Sequence, residues 1–194
     1  MLSRRGFTLI EVMIVLAIIA GIVVLGAPRI FKSSTNLKSV SRHIIVLAKE
    51  TRNQARLSNS TMRIVFEMSE NRQAYWVERA AGPQAIDIEK LQEPETDTEE
   101  ENKPASPFSL DNSLLKQPKN LPDQMKFASV ESINLDRPVT EGKAYVHFSP
   151  QGFVEASAIQ IVNSAGQTWT LVINPITGQA DIVEKAVSLK EMER

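Results

Sequence analysis

A single glutamate, Glu11, lies inside an otherwise apolar run that extends from Phe7 to Ala27. Placing a charged carboxylate at the centre of a bilayer costs roughly 2.5–3.5 kcal/mol. The chemistry that suits Glu11 is therefore ion pairing with a cation in the same apolar surroundings. Arg4 and Arg5 precede the run, so its N-terminal end is positively charged.

Other reactive side chains are scarce. The chain has no cysteine, and its two histidines are His43 and His147. His147 alternates with apolar neighbours of a predicted strand, and His43 falls beside the apolar stripe of a predicted helix, so we expect both at the surface. No nucleophile elbow or glycine-rich phosphate loop is present. We expect no enzyme activity, no metal site and no cofactor. The net charge of −1, with no basic stripe evident along the sequence, argues against nucleic-acid binding.

The apolar run is long enough to cross a bilayer, because about 21 residues at 1.5 Å each span the roughly 30 Å hydrocarbon core. The preceding arginines favour a cytoplasmic N-terminus. An ordinary secretory signal fits poorly, since the only small-residue site, Leu25 to Ala27, is followed by Pro28. A twin-arginine signal fits Ser3 to Phe7 only superficially, since such signals are weakly apolar and rarely contain a glutamate.

A third kind of signal accounts for every residue. The basic leader followed by Gly6-Phe7-Thr8-Leu9-Ile10-Glu11 closely resembles the class III signal of type IV prepilins and type II secretion pseudopilins. This resemblance implies that prepilin peptidase cuts between Gly6 and Phe7 and that the new amine of Phe7 is methylated. Gly6 lacks a Cβ atom, which helps the backbone enter a peptidase site.

The new Phe7 amine would be a cation one helical turn from Glu11. Glu11 could pair with the amine of its own chain, or extend to the lipid headgroups. Alternatively, it pairs with the amine of a neighbouring subunit and sets the axial register of a filament. The complete motif favours the neighbouring subunit.

A second helical pattern follows Pro28. Proline removes a backbone hydrogen bond, so we expect a kink, as a bend or local melting, near residues 24–28. The helix is predicted to continue to Ser58-Asn59-Ser60, which stop it. One stripe of this part is predicted to face the core: Leu37, Val40, Ile44, Leu47, Ala48, Thr51 and Ala55.

Beyond the helix the apolar period changes to two, which predicts strands. Glycine-containing turns separate several of them, and Gly152 is expected to take a positive φ. Residues 108–121 are predicted to form a short helix or turn over the core, and residues 184–194 a frayed charged tail. The predicted strands cover residues 62–69, 73–79, 125–133, 143–148, 158–162, 168–173 and 179–183.

Residues 82–107 break the pattern. This stretch is rich in acidic residues and contains four prolines. It has too little apolar surface to offset its ordering entropy, so we expect a mobile, solvated insertion. A calcium site is the sharper alternative, but the acidic residues are mostly glutamates without the usual loop geometry.

Two stretches resemble the general secretion pathway protein H type of pseudopilin and related minor pilins: the helix end at residues 47–56 with the turn and strand that follow it, and residues 148–183. The resemblance implies an α+β, type IV pilin-like fold, in which a long N-terminal transmembrane helix packs on an antiparallel β-sheet domain. Its parts are a leader (1–6), a membrane half of the helix (7–28), a periplasmic half (29–57), the β domain (58–185) and a tail (186–194).

The resemblance further implies a minor pseudopilin of a type II secretion system, single-pass in the bacterial inner membrane, with its C-terminal domain in the periplasm. Expected partners are prepilin peptidase, major and minor pseudopilins, the inner-membrane assembly platform and membrane lipid. A minor type IV pilin that primes pilus assembly is the alternative. A membrane-tethered binding domain that never polymerises is a third hypothesis.

Overall fold

The structure is a computed structural model that describes residues 9–84 and 106–192; within its long helix the side chains of residues 22–36 are not described. The described residues form an α+β fold. A 49-residue helix, α1 (Leu9–Leu57), is followed by nine strands and a short helix, α2 (Leu189–Met192). The strands are β1 (Met62–Ser69), β2 (Arg72–Ala80), β3 (Phe108–Leu110), β4 (Lys119–Asn120), β5 (Met125–Ser132), β6 (Gly142–Phe148), β7 (Ser157–Asn163), β8 (Thr168–Ile173) and β9 (Ala180–Val183).

Helix α1 packs on the β domain through its C-terminal half, and every member of the predicted stripe from Leu37 to Ala55 is buried. The helix ends where the sequence predicts. Asn59 adopts a φ of 46°, and the amide of Ser60 donates to the carbonyl of Ala55. The helix is continuous through residues 24–28, so no melted turn interrupts it there, and the bend at Pro28 stays a prediction.

The strands form two antiparallel sheets, which is consistent with the predicted antiparallel β domain. In the first sheet the order is β3-β2-β1-β6, with β4 also pairing with β2. The second sheet has the order β5-β7-β8-β9. The predicted strands from β5 to β9 and the predicted β1–β2 hairpin are confirmed to within two residues at either end.

Both sheets and the helix share one core. Phe127 of the second sheet meets two rings of the first sheet edge-on, Phe66 at 5.2 Å and Tyr75 at 6.3 Å between ring centroids. On the helix, Leu47 is 2% exposed, and in the second sheet Ile161 is fully buried. The helix therefore closes the domain along a surface to which both sheets contribute.

One local prediction is confirmed in part and another is wrong. Residues 108–121 form the predicted turn over the core and no helix, and the turn lies between two edge strands, β3 and β4, that were not predicted. The C-terminal segment is not frayed as far as it is described: Thr170 donates its hydroxyl to the carbonyl of Lys185, and the side chain of Gln160 donates to the carbonyl of Val187. Val187 is 9% exposed, so one apolar side chain and several hydrogen bonds hold this segment against the second sheet.

The predicted acidic insertion lies mostly outside the described residues. At its start, the amide of Gln84 donates to the hydroxyl of Thr61. At its end, Phe108 pairs with Ala80 on the edge of the first sheet. The stretch is therefore attached to the first sheet at both ends, beside the start of β1 and through the edge strand β3.

Candidate processing and assembly site

The first turns of helix α1 carry apolar side chains on every side. From Leu9 to Gly21 each residue is exposed, and the large apolar side chains are exposed by 48% (Val12) to 80% (Leu9). A helix that is apolar all round is normally buried, in a protein core or in a membrane. The described residues do not cover this surface, so we expect lipid or other protein subunits to cover it.

Glu11 lies in the first described turn of this apolar helix. The cleavage and methylation residues Gly6 and Phe7 lie outside the described residues. The structure thus places Glu11 on the apolar surface, and its pairing with an amine stays a prediction.

Within residues 9–84 and 106–192, no helix is long and apolar enough to cross a membrane. The predicted span of residues 7–28 falls partly outside the described residues. Phe7 and Thr8 are not described, and neither are the side chains of residues 22–28.

Residues 1–27 match the family model of the prokaryotic N-terminal methylation motif. The match covers the leader, the predicted cleavage site at Gly6 and Phe7, Glu11 and the apolar helix up to Ala27. No curated protein and no solved structure matches the chain. The motif supports a pilin- or pseudopilin-type protein, with prepilin-type cleavage and methylation at its N-terminus.

The same motif implies processing by prepilin peptidase and assembly with other pilin-like subunits. It also supports a membrane-anchored protein connected with export. The described fold, a long helix with antiparallel sheets, is consistent with a pilin-like architecture.

A second cluster of polar side chains lies far from the motif, and sequence reasoning missed it. His147 is buried at 4% exposure, so its predicted surface position is wrong. Its Nδ1 is 2.8 Å from Oε2 of Glu155, which is also buried. The other carboxylate oxygen of Glu155 accepts hydrogen bonds from the hydroxyl of Ser132 and, at 2.9 Å, from the amide of Asn134.

Burial alone would raise the pKa of Glu155, but its partners reverse the direction. The hydrogen bond and positive charge offered by His147, with the hydrogen bonds from Ser132 and Asn134, bring the pKa of Glu155 below its ordinary value. The carboxylate is therefore kept charged although it is buried.

This cluster connects the two sheets. His147 belongs to β6 of the first sheet and Ser132 to β5 of the second, so Glu155 links the two sheets. In a Ser-His-acid catalytic site, the serine hydroxyl forms a hydrogen bond with one ring nitrogen of the histidine, and the acid binds the other ring nitrogen. Here Ser132 donates to Glu155 instead, which does not activate the hydroxyl as a nucleophile.

His43 is half-buried rather than fully exposed, and its ring lies 6.0 Å from that of Tyr75. Burial lowers the pKa of His43, and the charge of Lys119 lowers it further, against an opposing effect of Glu50. Within the described residues no group of His, Cys, Asp or Glu could hold a metal ion. The acidic stretch considered for calcium lies largely outside them.

Two predicted turns contact the end of helix α1. Gly152 and Gly178 have φ values of 92° and 65°, and a Cβ on either would collide with an arginine of the helix, Arg56 and Arg52 respectively. The Arg52 guanidinium donates to the carbonyls of Gly152, at 2.7 Å, and Ile176, at 3.1 Å. These contacts fix the β6–β7 connection and the β8–β9 turn on one side of the helix.

Proposed function

We propose that this protein is a minor pseudopilin of a type II secretion system. In this proposal it is stored as a single-pass protein of the inner membrane, with its two-sheet domain in the periplasm. It then enters the periplasmic pseudopilus that drives protein export through an outer-membrane secretin. Its partners are prepilin peptidase, the major and minor pseudopilins and the inner-membrane assembly platform.

One observation carries this proposal: the all-round apolar surface of residues 9–21, with Glu11 in it, lies inside the N-terminal methylation motif. Lipid covers such a surface while the subunit is stored, and sister helices cover it in a filament. Glu11 pairs with the Phe7 amine of the neighbouring subunit when the helix leaves the lipid.

The absence of cysteine supports a pseudopilin or minor pilin over a major pilin, many of which close a C-terminal loop with a disulfide. A minor type IV pilin would share the motif and the helix. The two functions are separated in the native host, where deletion of the gene abolishes either secretion of exported proteins or surface pili. A tethered domain that never polymerises would give neither phenotype and no crosslinks to pilin-like subunits.

Processing provides the direct test. Mass spectrometry of the protein from its native host should find an N-terminus at Phe7 that carries a methyl group. The Gly6→Leu variant should remain uncut, because a side chain at that position blocks the peptidase site. Gly21→Leu is the matched control, since a Cβ at Gly21 meets nothing within 4 Å and lies away from the cut. An intact N-terminus on the wild-type protein, or a start near Pro28, would contradict the proposal.

A further inference from the structure

The exposed side of helix α1 is basic, which the linear sequence did not make evident. Over residues 37–57 the helix has five lysine or arginine residues and one acidic residue, Glu50. Arg42, Lys49 and Arg56 are exposed and seven residues apart, a spacing that keeps side chains nearly in line along a helix. The line is about 21 Å long. Within residues 9–84 and 106–192 none of the three forms an ion pair.

Two exposed apolar side chains lie in neighbouring loops of the second sheet. Phe153 is 61% exposed and Ile176 is 71% exposed. The loops lie side by side, because the amide of Val154 donates to the carbonyl of Pro175 at 3.0 Å. Single exposed apolar residues are common, whereas neighbouring ones are a feature of interaction sites.

Both loops are held against the C-terminal end of helix α1. Arg52 donates hydrogen bonds to the carbonyls of Gly152, at 2.7 Å, and Ile176, at 3.1 Å. Arg56 lies so close to Gly152 that a Cβ there would be 2.9 Å from the Cδ of the arginine. The line of basic residues therefore ends beside the two apolar side chains. We call five exposed residues the basic–apolar face: Arg42, Lys49, Arg56, Phe153 and Ile176.

The composition of the basic–apolar face indicates the chemistry of its partner. Three cations that no described carboxylate meets favour an acidic surface, because charge complementarity selects partners and excludes surfaces of like charge. The two apolar side chains gain from contact with apolar atoms. An acidic protein surface with an apolar part meets both requirements, whereas a nucleic acid backbone meets only the first.

The position of the face along helix α1 indicates where the partner lies. The helix is continuous from the apolar surface of residues 9–21 to the basic–apolar face. A subunit whose N-terminal helix packs beside residues 9–21 therefore has its own domain alongside this face. An anionic bilayer does not reach it, because Arg56 is about 42 Å along the axis from the predicted membrane edge at Pro28, several times the Debye length of about 8–10 Å.

We propose that the basic–apolar face binds an acidic, partly apolar surface of a different pilin-like subunit that lies beside this protein. The inference rests on the proposed function, in which a minor subunit is surrounded by other subunits. A face about 21 Å long and one helix, or about 10 Å, wide is smaller than the roughly 800 Å² per partner of a stable interface. The contact therefore forms where the N-terminal helices already hold two subunits together and raise their effective concentration.

Photocrosslinking in native membranes tests the contact. The photoreactive amino acid p-benzoylphenylalanine replaces Asn53, which is exposed between Lys49 and Arg56. The control carries it in place of Ala165, on the exposed β7–β8 turn. We expect an adduct about tenfold more abundant at Asn53 than at Ala165. Mass spectrometry of the adduct should find a peptide of net negative charge from a protein whose own N-terminus is methylated.

Charge reversal tests the electrostatic part of the contact. Arg42→Glu with Lys49→Glu should lower the adduct yield about tenfold, since opposite charges become like charges. Replacement of the acidic residues of the captured peptide by Lys should restore the yield. The matched control, Lys126→Glu with Lys143→Glu, makes the same change in net charge at exposed strand positions and should leave the yield unchanged.

Serine substitution tests the apolar part. Phe153→Ser with Ile176→Ser should lower the adduct yield several-fold, because both side chains lose their apolar contact with the partner. Leu110→Ser, at a position 45% exposed on the edge strand β3, is the control and should have no effect. The melting temperature of each full-length variant in detergent should equal that of the wild type, since the substituted side chains are exposed.

Three results would overturn the inference: an adduct no more abundant at Asn53 than at Ala165, an adduct with lipid, nucleic acid or a second copy of this chain, or a yield that charge reversal or the serine substitutions leave unchanged. The same photoreactive residue at Ile14, in the apolar half of the helix, separates the inference from the proposed function. Adducts with pilin-like subunits at Ile14 but not at Asn53 refute the inference alone. An uncut chain, or no such adduct at Ile14, refutes the proposed function as well.

Discussion

The two ends of helix α1 differ in where their apolar side chains lie. Between Leu9 and Gly21 every described residue is exposed, although most are large and apolar. Between Leu37 and Ala55 most of the apolar residues form one stripe that is buried against both sheets, although Val46 is exposed. The C-terminal half therefore stabilises the domain, whereas the N-terminal half depends on lipid or on other subunits. Substitutions in the two halves should consequently affect different measurements.

The largest effect is expected from Glu11→Gln, and it should appear in assembly alone. If Glu11 pairs with the Phe7 amine of a neighbour, its neutralisation leaves that amine buried without its partner, at a cost of order 3–5 kcal/mol. Crosslinking to other pilin-like subunits should fall, while membrane levels and cleavage at Gly6 stay constant. Glutamine is easier to place in lipid than glutamate, so insertion is not expected to suffer.

Glu11→Asp is the matched control, since it keeps the charge on a shorter side chain and should retain part of the assembly. Wild-type crosslinking of Glu11→Gln would contradict pairing between subunits. It would indicate either that no neighbouring subunit places its Phe7 amine beside Glu11, or that the Glu11 carboxylate pairs within its own chain.

Substitutions in the buried half of the helix are expected to change the stability of the domain rather than assembly. Leu47→Ala should destabilise the domain by about 2–5 kcal/mol, because it removes a buried side chain and leaves a cavity. The exposed Ile14→Ala should change the free energy of unfolding by less than about 0.5 kcal/mol. Urea denaturation of the full chain in detergent, followed by the fluorescence of Trp76 and Trp169, measures both. Equal effects of the two substitutions would contradict the division of the helix.

Substitution of the buried Glu155 tests whether its hydrogen bonds stabilise the contact between the two sheets. Glu155→Gln should lower the stability by about 1–3 kcal/mol at pH 7, since it weakens charge-assisted hydrogen bonds in a buried site. The exposed Glu184→Gln serves as its control and should have little effect.

The pH dependence of stability shows in which pH range the Glu155 carboxylate stabilises the folded state. Because the pKa of Glu155 is below its ordinary value in the folded state, the carboxylate contributes stability above pH 4.5, its ordinary pKa. That contribution is lost as the pH falls from 4.5 through the lower folded value. The melting temperature should therefore fall more steeply in this range for the wild type than for Glu155→Gln. Parallel curves would contradict the role given to the carboxylate.

Sequence periodicity predicted the elements better than their arrangement. The helical stripe from Leu37 to Ala55 was predictable because a 3.6-residue period specifies which face is apolar. The positive φ of Gly152 was predictable because glycine accepts this backbone conformation in a tight turn. The division of the strands into two sheets was not predictable, because the alternation of side chains along a strand does not indicate which strand pairs with it.

The candidate sites show the same limit. Gly6, Phe7 and Glu11 form a contiguous motif, so the sequence alone could indicate the chemistry. The His147–Glu155 pair depends on Ser132, 23 residues before Glu155 and on the other sheet, and only the fold brings them together. The alternation of side chains along β6 predicted that His147 lies on the sheet face opposite the main core. It could not show that this second face is also buried.

The smallest effect on stability is expected from deletion of residues 85–106, replaced by a short linker. This stretch holds eight acidic residues and two prolines and has little apolar surface to bury, so the melting temperature of the domain should change little. Strong destabilisation, or a calcium-dependent rise in melting temperature that the deletion abolishes, would show that the stretch is part of the folded domain or binds calcium.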